Sequence, residues 1–216
     1  MIVTIDGPAG AGKSSAARQL AERLGFEFLD TGAMYRAVAY AASVRGHDWE
    51  KSEDLAPLAE SLDIQLQPGR VSLDGQDVSA AIRTPEVTGV THYAANNPAV
   101  RAVLVQKQRD VAAGKDVVTE GRDQGTVVFP NAECKIFLTA TAEERARRRL
   151  RDLERAGNAT TLEEVLSDQT KRDESDEQRE CGPLVQAEDA LVLVTDNLPE
   201  VEVVDHLEML VRQRMP

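Results

Sequence analysis

The sequence predicts an α/β fold in which helices cover a parallel sheet. Short runs rich in Ile, Val, Leu and Phe alternate with longer segments of helical periodicity, a pattern typical of parallel strands buried on both faces. A turn or a helix start follows each run, so we expect one modest sheet. Its five candidate strands are Val3 to Asp6, Glu27 to Asp30, Val117 to Glu120, Lys135 to Thr139 and Leu191 to Thr195.

Capping residues place three helices between these strands. Asn97, followed by proline, is typical of a helix start, and Gly114 marks the expected end of the same helix. Thr141 and Thr161 each precede a glutamate with capping-box spacing. The sequence therefore predicts one long helix after Asn97 and two further helices after the fourth strand.

The pattern changes in the segment 46–98. Two short alternating runs flank the pair Pro68 and Gly69, which indicates a small antiparallel hairpin. We expect a single unit with three parts: a core of 1–45 and 99–216, an inserted small α+β lobe of 46–98 and, near 156–180, a polar, highly charged segment suited to a mobile lid.

Composition excludes several classes of protein. The 216 residues are 42% hydrophobic and 29% charged, which is ordinary for a globular chain. The net charge of -12 disfavours a general role in coating nucleic acid, so any anion site must be local. The 2 cysteines are too few for a zinc cluster or a disulfide framework. With neither a basic leader nor an apolar run long enough to cross a bilayer, we expect no membrane association and a cytoplasmic location.

A glycine-rich loop follows the first predicted strand. It satisfies the pattern G-x-x-x-x-G-K-[ST] between a strand and a helix, a context in which glycines let backbone N–H groups surround phosphates. Lys13 is placed to reach the β- and γ-phosphates, and the Ser14 hydroxyl is of the kind that coordinates Mg²⁺. The loop thus predicts a P-loop NTPase-type sheet that binds ATP through Gly7, Pro8, Ala9, Gly10, Ala11, Gly12, Lys13, Ser14 and Ser15.

A glycine-rich turn that merely joins a strand to a helix is the alternative to this ATP site, and the full motif in its context favours the site. Asp6 stands directly before the loop. It is either a buried turn residue or a neighbour of the metal, and the sequence leaves both interpretations open.

Three further segments carry candidate anion-binding groups. Thr31 and Arg36 follow the second strand and suit a phosphate monoester, unless they belong to a simple capped helix with a solvent-facing arginine. Residues 120–126 lie at the carboxyl end of a strand, where open α/β sheets bind ligands. The cations of 171–179 lie on the predicted lid and either close over the transferring phosphate or form a solvated helix face. The arginine-rich run 145–155 also contains acidic residues, so we expect a solvated helix rather than a nucleic-acid patch. Some of its arginines are nevertheless placed to approach ATP.

Several motifs in order resemble the cytidylate kinase family, over nearly the whole chain. They are Ile5-Asp6-Gly7-Pro8, LDTGAMYR (29–36), IRTPEV (82–87), GRDQGTVVFP (121–130), KIFLTA (135–140), EERARRR (143–149) and PLV-x-AEDALVL (183–193). The resemblance implies an ATP- and Mg²⁺-dependent transferase that phosphorylates CMP and dCMP in pyrimidine nucleotide metabolism, with an enlarged monophosphate-binding insertion. We expect a monomer.

The resemblance also implies roles for single residues. The residues expected to contact the CMP phosphate, base or ribose are Thr31, Arg36, Arg101, Arg122, Asp123, Arg172, Asp176 and Arg179. The residues expected at the transferring phosphoryl group are Lys13, Arg122, Arg172 and Arg179. One departure is His92, which stands where the family has a base-contacting serine and either touches the base or is packed or exposed.

Two rival functions remain open at this point. A kinase for UMP, AMP or shikimate would share the loop, the fold and the metal, so only the acceptor motifs discriminate it. A nucleotide-dependent switch would hydrolyse slowly and signal to a partner protein. The arginines beside the second and third strands argue against a switch.

Overall fold

The computed structural model describes residues 1–67, 69–155 and 157–215. It divides into two compact units, one formed by Met1–Phe28 with Lys115–Pro216 and the other by Leu29–Gly114. The strands in chain order are β1 (Ile2–Asp6), β2 (Glu27–Asp30), β3 (Ile64–Gln67), β4 (Arg70–Leu73), β5 (Gln76–Asp77), β6 (Val117–Gly121), β7 (Cys134–Thr139) and β8 (Leu191–Val194). The helices are α1 (Lys13–Leu24), α2 (Thr31–Val44), α3 (Leu55–Ser61), α4 (Pro85–Ala95), α5 (Pro98–Ala112), α6 (Ala142–Arg155), α7 (Leu162–Glu177) and α8 (Glu200–Arg212).

The main sheet confirms the predicted fold class. Its five strands have the order β2-β6-β1-β7-β8, and β1 pairs in parallel with both β6 and β7, which in turn pairs in parallel with β8. Each predicted strand occurs within one residue of its expected bounds. β1 is the central strand of this sheet. The loop that follows it lies at the carboxyl edge of the sheet, where α/β proteins bind ligands.

Apolar side chains between the sheet and two helices form the core of the first unit. Ile5 and Ile136 on neighbouring strands pack with Leu20 of α1 and Leu207 of α8, and all are fully buried. On α8 the buried residues Val203, Val204, Leu207 and Val211 recur with helical period, so one face of that helix covers the sheet. This packing fixes the start of α1, and with it the phosphate loop.

The second unit contains a small antiparallel sheet in the order β3-β4-β5. The predicted hairpin is confirmed by the pairing of Ile64–Gln67 with Arg70–Leu73, although Pro68 at its turn lies outside the described residues. Strand β5 was not predicted, because its two residues are too short to show a period. In the same unit α2 packs against α4, and α3 packs against α5.

The second unit is wider than the predicted lobe of 46–98, since it runs from Leu29 to Gly114. The reason is packing, because α2 and α5 contact the helices of the segment between them. The division into core, lobe and lid stays a prediction. Residue 156, where the predicted lid begins, also lies outside the described residues. Within the part of the chain that the structure describes, no helix is long and apolar enough to cross a membrane.

All three predicted capping residues accept hydrogen bonds from helix N–H groups, but only one of the two predicted capping boxes is complete. Asn97 accepts hydrogen bonds from the N–H groups of Ala99 and Val100, and Thr161 forms a full capping box with Glu164. The box predicted at Thr141 is wrong. Its hydroxyl accepts from the Glu144 N–H at 3.3 Å, but its own N–H donates to Asp196, so a carboxylate distant in sequence replaces the glutamate.

Candidate functional site

The phosphate loop connects β1 to α1 in the predicted way. Gly7 opens the loop with φ +148°, and a Cβ there would stand 2.0 Å from the Leu138 carbonyl oxygen, so only glycine fits. Helix α1 begins at Lys13 with no acidic residue in its first turn, which leaves its positive end available to an anion.

Lys13 is buried beneath this loop, and its Nζ donates a 2.7 Å hydrogen bond to the Pro8 carbonyl oxygen. Burial lowers the pKa of Lys13 to about 7, and the positive charges of Arg122 and Arg172 act in the same direction. Glu120 and Asp6 oppose the shift. A phosphate placed here would relieve this crowding of cations and restore the charge of the lysine.

The hydroxyl of Ser14 donates a 2.8 Å hydrogen bond to Oε1 of Glu120, a buried carboxylate on β6. A hydroxyl and a carboxylate are hard oxygen donors of the kind that Mg²⁺ takes together with phosphates. No cluster of three or more His, Cys, Asp or Glu side chains able to hold a metal occurs among the described residues. The chemistry of this pair of oxygen donors fits a magnesium ion.

Asp6 is fully engaged by the segment after β6. Its two oxygens accept the N–H groups of Gln124 and Gly125, at 2.9 and 2.7 Å. Burial raises the pKa of the Asp6 carboxyl to about 6, against the effect of these two hydrogen bonds. The two residues begin a single π-helical turn, Gln124–Val128. Asp6 is thus the buried last residue of β1, and its side chain binds the backbone of the turn after β6.

Arg145 of α6 links the phosphate loop to α7. Its guanidinium donates to the Ala9 carbonyl oxygen at 2.8 Å and to Asp173 at 2.5 Å, while the other oxygen of Asp173 accepts the Ala9 N–H at 3.1 Å. Both side chains are buried. The interpretation of 145–155 as a solvated helix is therefore wrong for Arg145, although Arg147 does form the expected exposed pair with Glu143.

Arg148, one turn further along α6, also departs from the solvated interpretation. It is half-buried, and its guanidinium donates to the side chain and the carbonyl of Thr195, at 2.9 and 2.6 Å. A 3.5 Å hydrogen bond to the Ala11 carbonyl oxygen brings it to the loop. Two arginines of the run thus hold the loop backbone.

Two predicted cations, one directly after β6 and one just beyond the end of α7, share the carboxylate of Asp176 on α7. Arg122 donates to Oδ2 of Asp176 at 2.6 Å, and Arg179 donates to Oδ1. Burial alone would favour the protonated acid, but the charges of Arg122 and Arg179 outweigh it and lower the pKa of Asp176. Arg172 is exposed on the same helix, and Asp123 is buried. The structure thus brings Lys13, Arg122, Arg172, Asp176 and Arg179 into one unit.

Other predicted acceptor residues belong to the second unit. Thr31 is buried at the start of α2, directly after the capping residue Asp30. Asp30 accepts from Arg36 at 3.3 Å and from Arg83 at 3.1 Å. Arg36 is therefore held by a carboxylate and is not free in solvent. Arg83, which lies in the motif IRTPEV but was given no role there, pairs with the same carboxylate.

Arg101 and His92 have contrasting environments in this unit. Arg101 is only 2% exposed, donates to the Ala95 carbonyl oxygen at 3.1 Å and lies over the Tyr35 ring. His92 is exposed on α4, with Nδ1 2.8 Å from the Gly89 carbonyl oxygen and its ring against Tyr93.

Comparison with known proteins identifies the family. The family model described as cytidylate kinase matches residues 3–213. The chain belongs to the cytidylate kinase family. A cytidylate kinase of Rhodopirellula baltica is 52% identical over 213 residues, which cover 99% of this chain and 93% of that protein. A bifunctional pantoate ligase/cytidylate kinase of Synechococcus sp. (strain WH7803) is 48% identical over 220 residues, which cover 99% of this chain and 45% of that protein.

Membership in the cytidylate kinase family confirms the resemblance read from the motifs, and it makes the chain a kinase that takes small nucleotides. A shikimate kinase of Bacteroides thetaiotaomicron shares the fold, with a TM-score of 0.51 over 98% of each chain at 14% identity. At that identity the structural similarity supports a shared fold, that of P-loop kinases, and nothing more.

Four residues of this cytidylate kinase family member lie at the loop but were not among the predicted site residues: Asp6, Glu120, Arg145 and Asp173. All four lie in or beside segments that the sequence analysis discussed, and Glu120 had the clearest signal, since it ends a predicted strand in the segment 120–126. The parallel pairing of Glu120 on β6 with Ile5 on β1 brings Glu120 close to Ser14, which donates a hydrogen bond to it. The others depend on contacts between distant segments that a single sequence does not show.

Proposed function

We propose that this chain transfers the γ-phosphoryl group of ATP to CMP or dCMP and releases ADP with CDP or dCDP, in pyrimidine nucleotide metabolism. The observation that carries the proposal is the buried Lys13 at the phosphate loop, whose pKa is lowered by burial and by Arg122 and Arg172. Such concentrated positive charge needs an anion, and a transferring phosphoryl group supplies one.

The donor site consists of the loop and its supports. Residues Gly7 to Ser15 surround the ATP phosphates, Lys13 neutralises the β- and γ-phosphates, and Arg145 and Arg148 hold the loop carbonyls in place. Ser14, with Glu120 behind it, is the residue that would hold Mg²⁺. When bound, this ion neutralises charge on the phosphate oxygens.

The acceptor residues are assigned from the family resemblance. In this assignment Arg36, Arg122 and Arg179 bind the CMP phosphate, Arg101 and Asp123 lie near the cytosine, and Arg172 and Asp176 contact phosphate and ribose, with Thr31 offering a hydroxyl. The charge of Asp176 supports this, because its lowered pKa keeps it ionised and able to accept from hydroxyl groups.

Catalysis in this proposal is positioning with charge neutralisation. An oxygen of the CMP phosphate attacks the γ-phosphorus in line, the bond to the ADP oxygen breaks, and no covalent intermediate with the protein forms. The phosphate monoester is already anionic, so no general base is needed. Lys13, Arg122, Arg172 and Arg179 stabilise the charge that moves between the two nucleotides.

The finer description of the protein follows from the same proposal. The chain acts as a monomer in the cytoplasm, and its net charge of -12 keeps nucleic acid from competing for the nucleotide site. The lobe of 46–98 is the monophosphate-binding insertion that the family resemblance implies, and the lid near 156–180 closes to exclude water from the γ-phosphate.

The decisive experiment measures ADP formation from Mg-ATP with CMP, dCMP, UMP, AMP, dTMP and shikimate supplied separately, beside a control without acceptor. We expect turnover with CMP and dCMP, and a loss of at least about a hundredfold in each of Arg122→Ala, Arg172→Ala and Arg179→Ala. Preference for another acceptor overturns the cytidylate assignment. ADP at the background rate in every case overturns the transferase.

A further inference from the structure

Asp6 clamps one turn of backbone with both of its carboxylate oxygens. It is the last residue of β1, directly before the phosphate loop, and is only 5% exposed. Oδ1 accepts the Gln124 N–H at 2.9 Å and Oδ2 accepts the Gly125 N–H at 2.7 Å. Both N–H groups belong to the turn Gln124–Val128, so two adjacent donors of one segment converge on one side chain.

The clamped turn fits closely against two strands. A Cβ on Gly125 would lie 2.9 Å from Thr4 Oγ1 and 3.4 Å from Asp6 Oδ2. The turn therefore packs so closely against β1 that residue 125 has no space for a side chain. On the β6 side, the hydroxyl of Thr119 donates to the Gln124 side chain at 2.9 Å. The position of the turn is therefore set by direct contacts on both sides.

The turn has an unusual backbone for so short a segment. The N–H groups of Val128 and Phe129 bond to the carbonyls of Asp123 and Gln124, at 3.1 and 2.7 Å, which is π-helical spacing. Such turns are rare and occur often at functional sites. Arg122 and Asp123 immediately precede it, so the clamp fixes where these two residues leave β6.

The clamp also carries an electrostatic cost. Burial favours the neutral acid and raises the pKa of Asp6 to about 6, with Asp123 adding to the effect, whereas the N–H groups of Gly125 and Gln124 and the charge of Lys13 oppose it. At neutral pH the protein thus maintains an ionised carboxylate in a place that disfavours it. Residues that break a local stability rule are found mainly at functional sites.

We infer that Asp6 is a positioning residue for phosphoryl transfer: by clamping the turn Gln124–Val128 to the end of β1, it holds Arg122 beside the phosphate loop. The inference rests on the proposed function for the role of Arg122. Gly121 pairs with Asp6 across β6 and β1, so Arg122 leaves the sheet next to the residue that precedes the phosphate loop. In this role Asp6 acts through the backbone that it holds, and a variant that leaves its charge in place separates this role from the effect of that charge on Lys13.

The test compares Asp6→Asn with Asp116→Asn in the full chain. Asparagine keeps the size of the side chain, but its NH₂ group faces one of the two N–H donors and loses that bond. Asp116 precedes the other end of β6, where it pairs with the N-terminal amine and is exposed, so it matches the chemical change away from the loop. Gly125→Ala is the second variant, because it displaces the same turn without altering a charge.

Three measurements separate positioning from general damage: kcat with CMP, the dissociation constant of ADP, and amide hydrogen exchange at Gln124 and Gly125. We expect Asp6→Asn and Gly125→Ala each to lower kcat at least about tenfold while ADP affinity stays within about threefold. The two amides are expected to exchange faster in Asp6→Asn. Asp116→Asn is expected to match the wild type in all three.

Wild-type kcat in a folded Asp6→Asn protein would overturn the inference. An equal loss of kcat and ADP affinity would do the same, because it indicates damage to the loop itself. Failure of the proposed function is seen separately, as no CMP-dependent ADP from the wild-type protein. The clamp is then judged by hydrogen exchange alone, and unchanged protection of Gln124 and Gly125 in Asp6→Asn overturns it.

Discussion

Oε1 of Glu120 accepts a 2.8 Å hydrogen bond from the hydroxyl of Ser14, which joins the carboxyl end of β6 to the first turn of α1. The two residues are far apart in sequence, and the parallel register that pairs Glu120 with Ile5 brings them together. The bond orients the serine oxygen at the start of a helix whose positive end faces the loop. A buried carboxylate is thereby placed next to the proposed magnesium residue.

Replacing Glu120 by glutamine is expected to raise the Mg²⁺ concentration needed for half-maximal activity and to lower turnover by about a hundredfold. The amide keeps an oxygen that can accept from Ser14 but removes the negative charge. ADP formation titrated with Mg²⁺ checks this. Glu133→Gln is the matched control, since Glu133 accepts the Ile2 N–H at the amino end of β1, away from the loop. An unchanged Mg²⁺ requirement in Glu120→Gln would contradict the assignment.

The buried pair of Arg145 and Asp173 gives a prediction about stability. Removing Asp173 by alanine leaves the Arg145 charge buried without its carboxylate, which is expected to cost about 3 kcal/mol of unfolding free energy. At this chain length that corresponds to a fall in melting temperature of roughly 6 to 12 °C. Calorimetry checks the value. Arg147→Ala, which removes an exposed pair with Glu143, is expected to change stability by less than about 0.5 kcal/mol. Equal effects of the two substitutions would refute the argument.

Gly7 and Gly25 offer a matched test of the loop backbone. A Cβ at Gly7 would lie 2.0 Å from a backbone oxygen of β7, whereas at Gly25 nothing lies within 4 Å and only the left-handed φ of +70° opposes a side chain. We expect Gly25→Ala to cost about 1 kcal/mol. Gly7→Ala is expected to give a far larger loss, or no folded protein. Thermal unfolding of both variants checks the order, and similar melting temperatures would show that the loop moves away from β7 without strain.

The sequence was sufficient where a feature depends on adjacent residues. The phosphate loop is one contiguous motif, the strands are continuous apolar runs, and the Asn97 and Thr161 caps act within one helical turn. Arg36 and Arg122 were singled out because they lie in segments that follow strands, and their role at the acceptor stays a prediction. Family membership then confirmed the activity class that the ordered motifs had indicated.

The sequence was insufficient where distant segments meet. Thr141 has the spacing of a capping box, yet Asp196 takes its N–H because the end of β8 lies beside the start of α6. Arg145 sits in a run of alternating charge that is typical of a solvated helix, and only the packing of α6 on the loop reveals that it is buried. For Asp6, no local pattern indicates that the N–H groups of Gln124 and Gly125 converge on its side chain.

Asp6 also predicts a specific dependence of stability on pH. Folding raises its pKa from 3.8 to about 6 because burial disfavours the charge, Asp123 adds to this, and the N–H groups of Gly125 and Gln124 with Lys13 oppose it. A raised acid pKa means that the folded state binds the proton more tightly. The stability gained in this way is fully present below pH 3.8 and is lost as the pH rises through about 6. The loss amounts to about 3 kcal/mol.

The melting temperature of Asp6→Asn relative to the wild type is therefore expected to rise by roughly 5 to 10 °C between pH 4 and pH 7. The lost hydrogen bond shifts the whole difference by a constant, because asparagine does not titrate, and the slope reports the Asp6 carboxyl together with its effect on Lys13. Above about pH 8 the difference is expected to be flat, since Asp6 is then fully ionised, and this range is the internal control. A difference that falls between pH 4 and pH 7 would mean that the clamped N–H groups and Lys13 outweigh burial, so that the ionised carboxylate stabilises the fold.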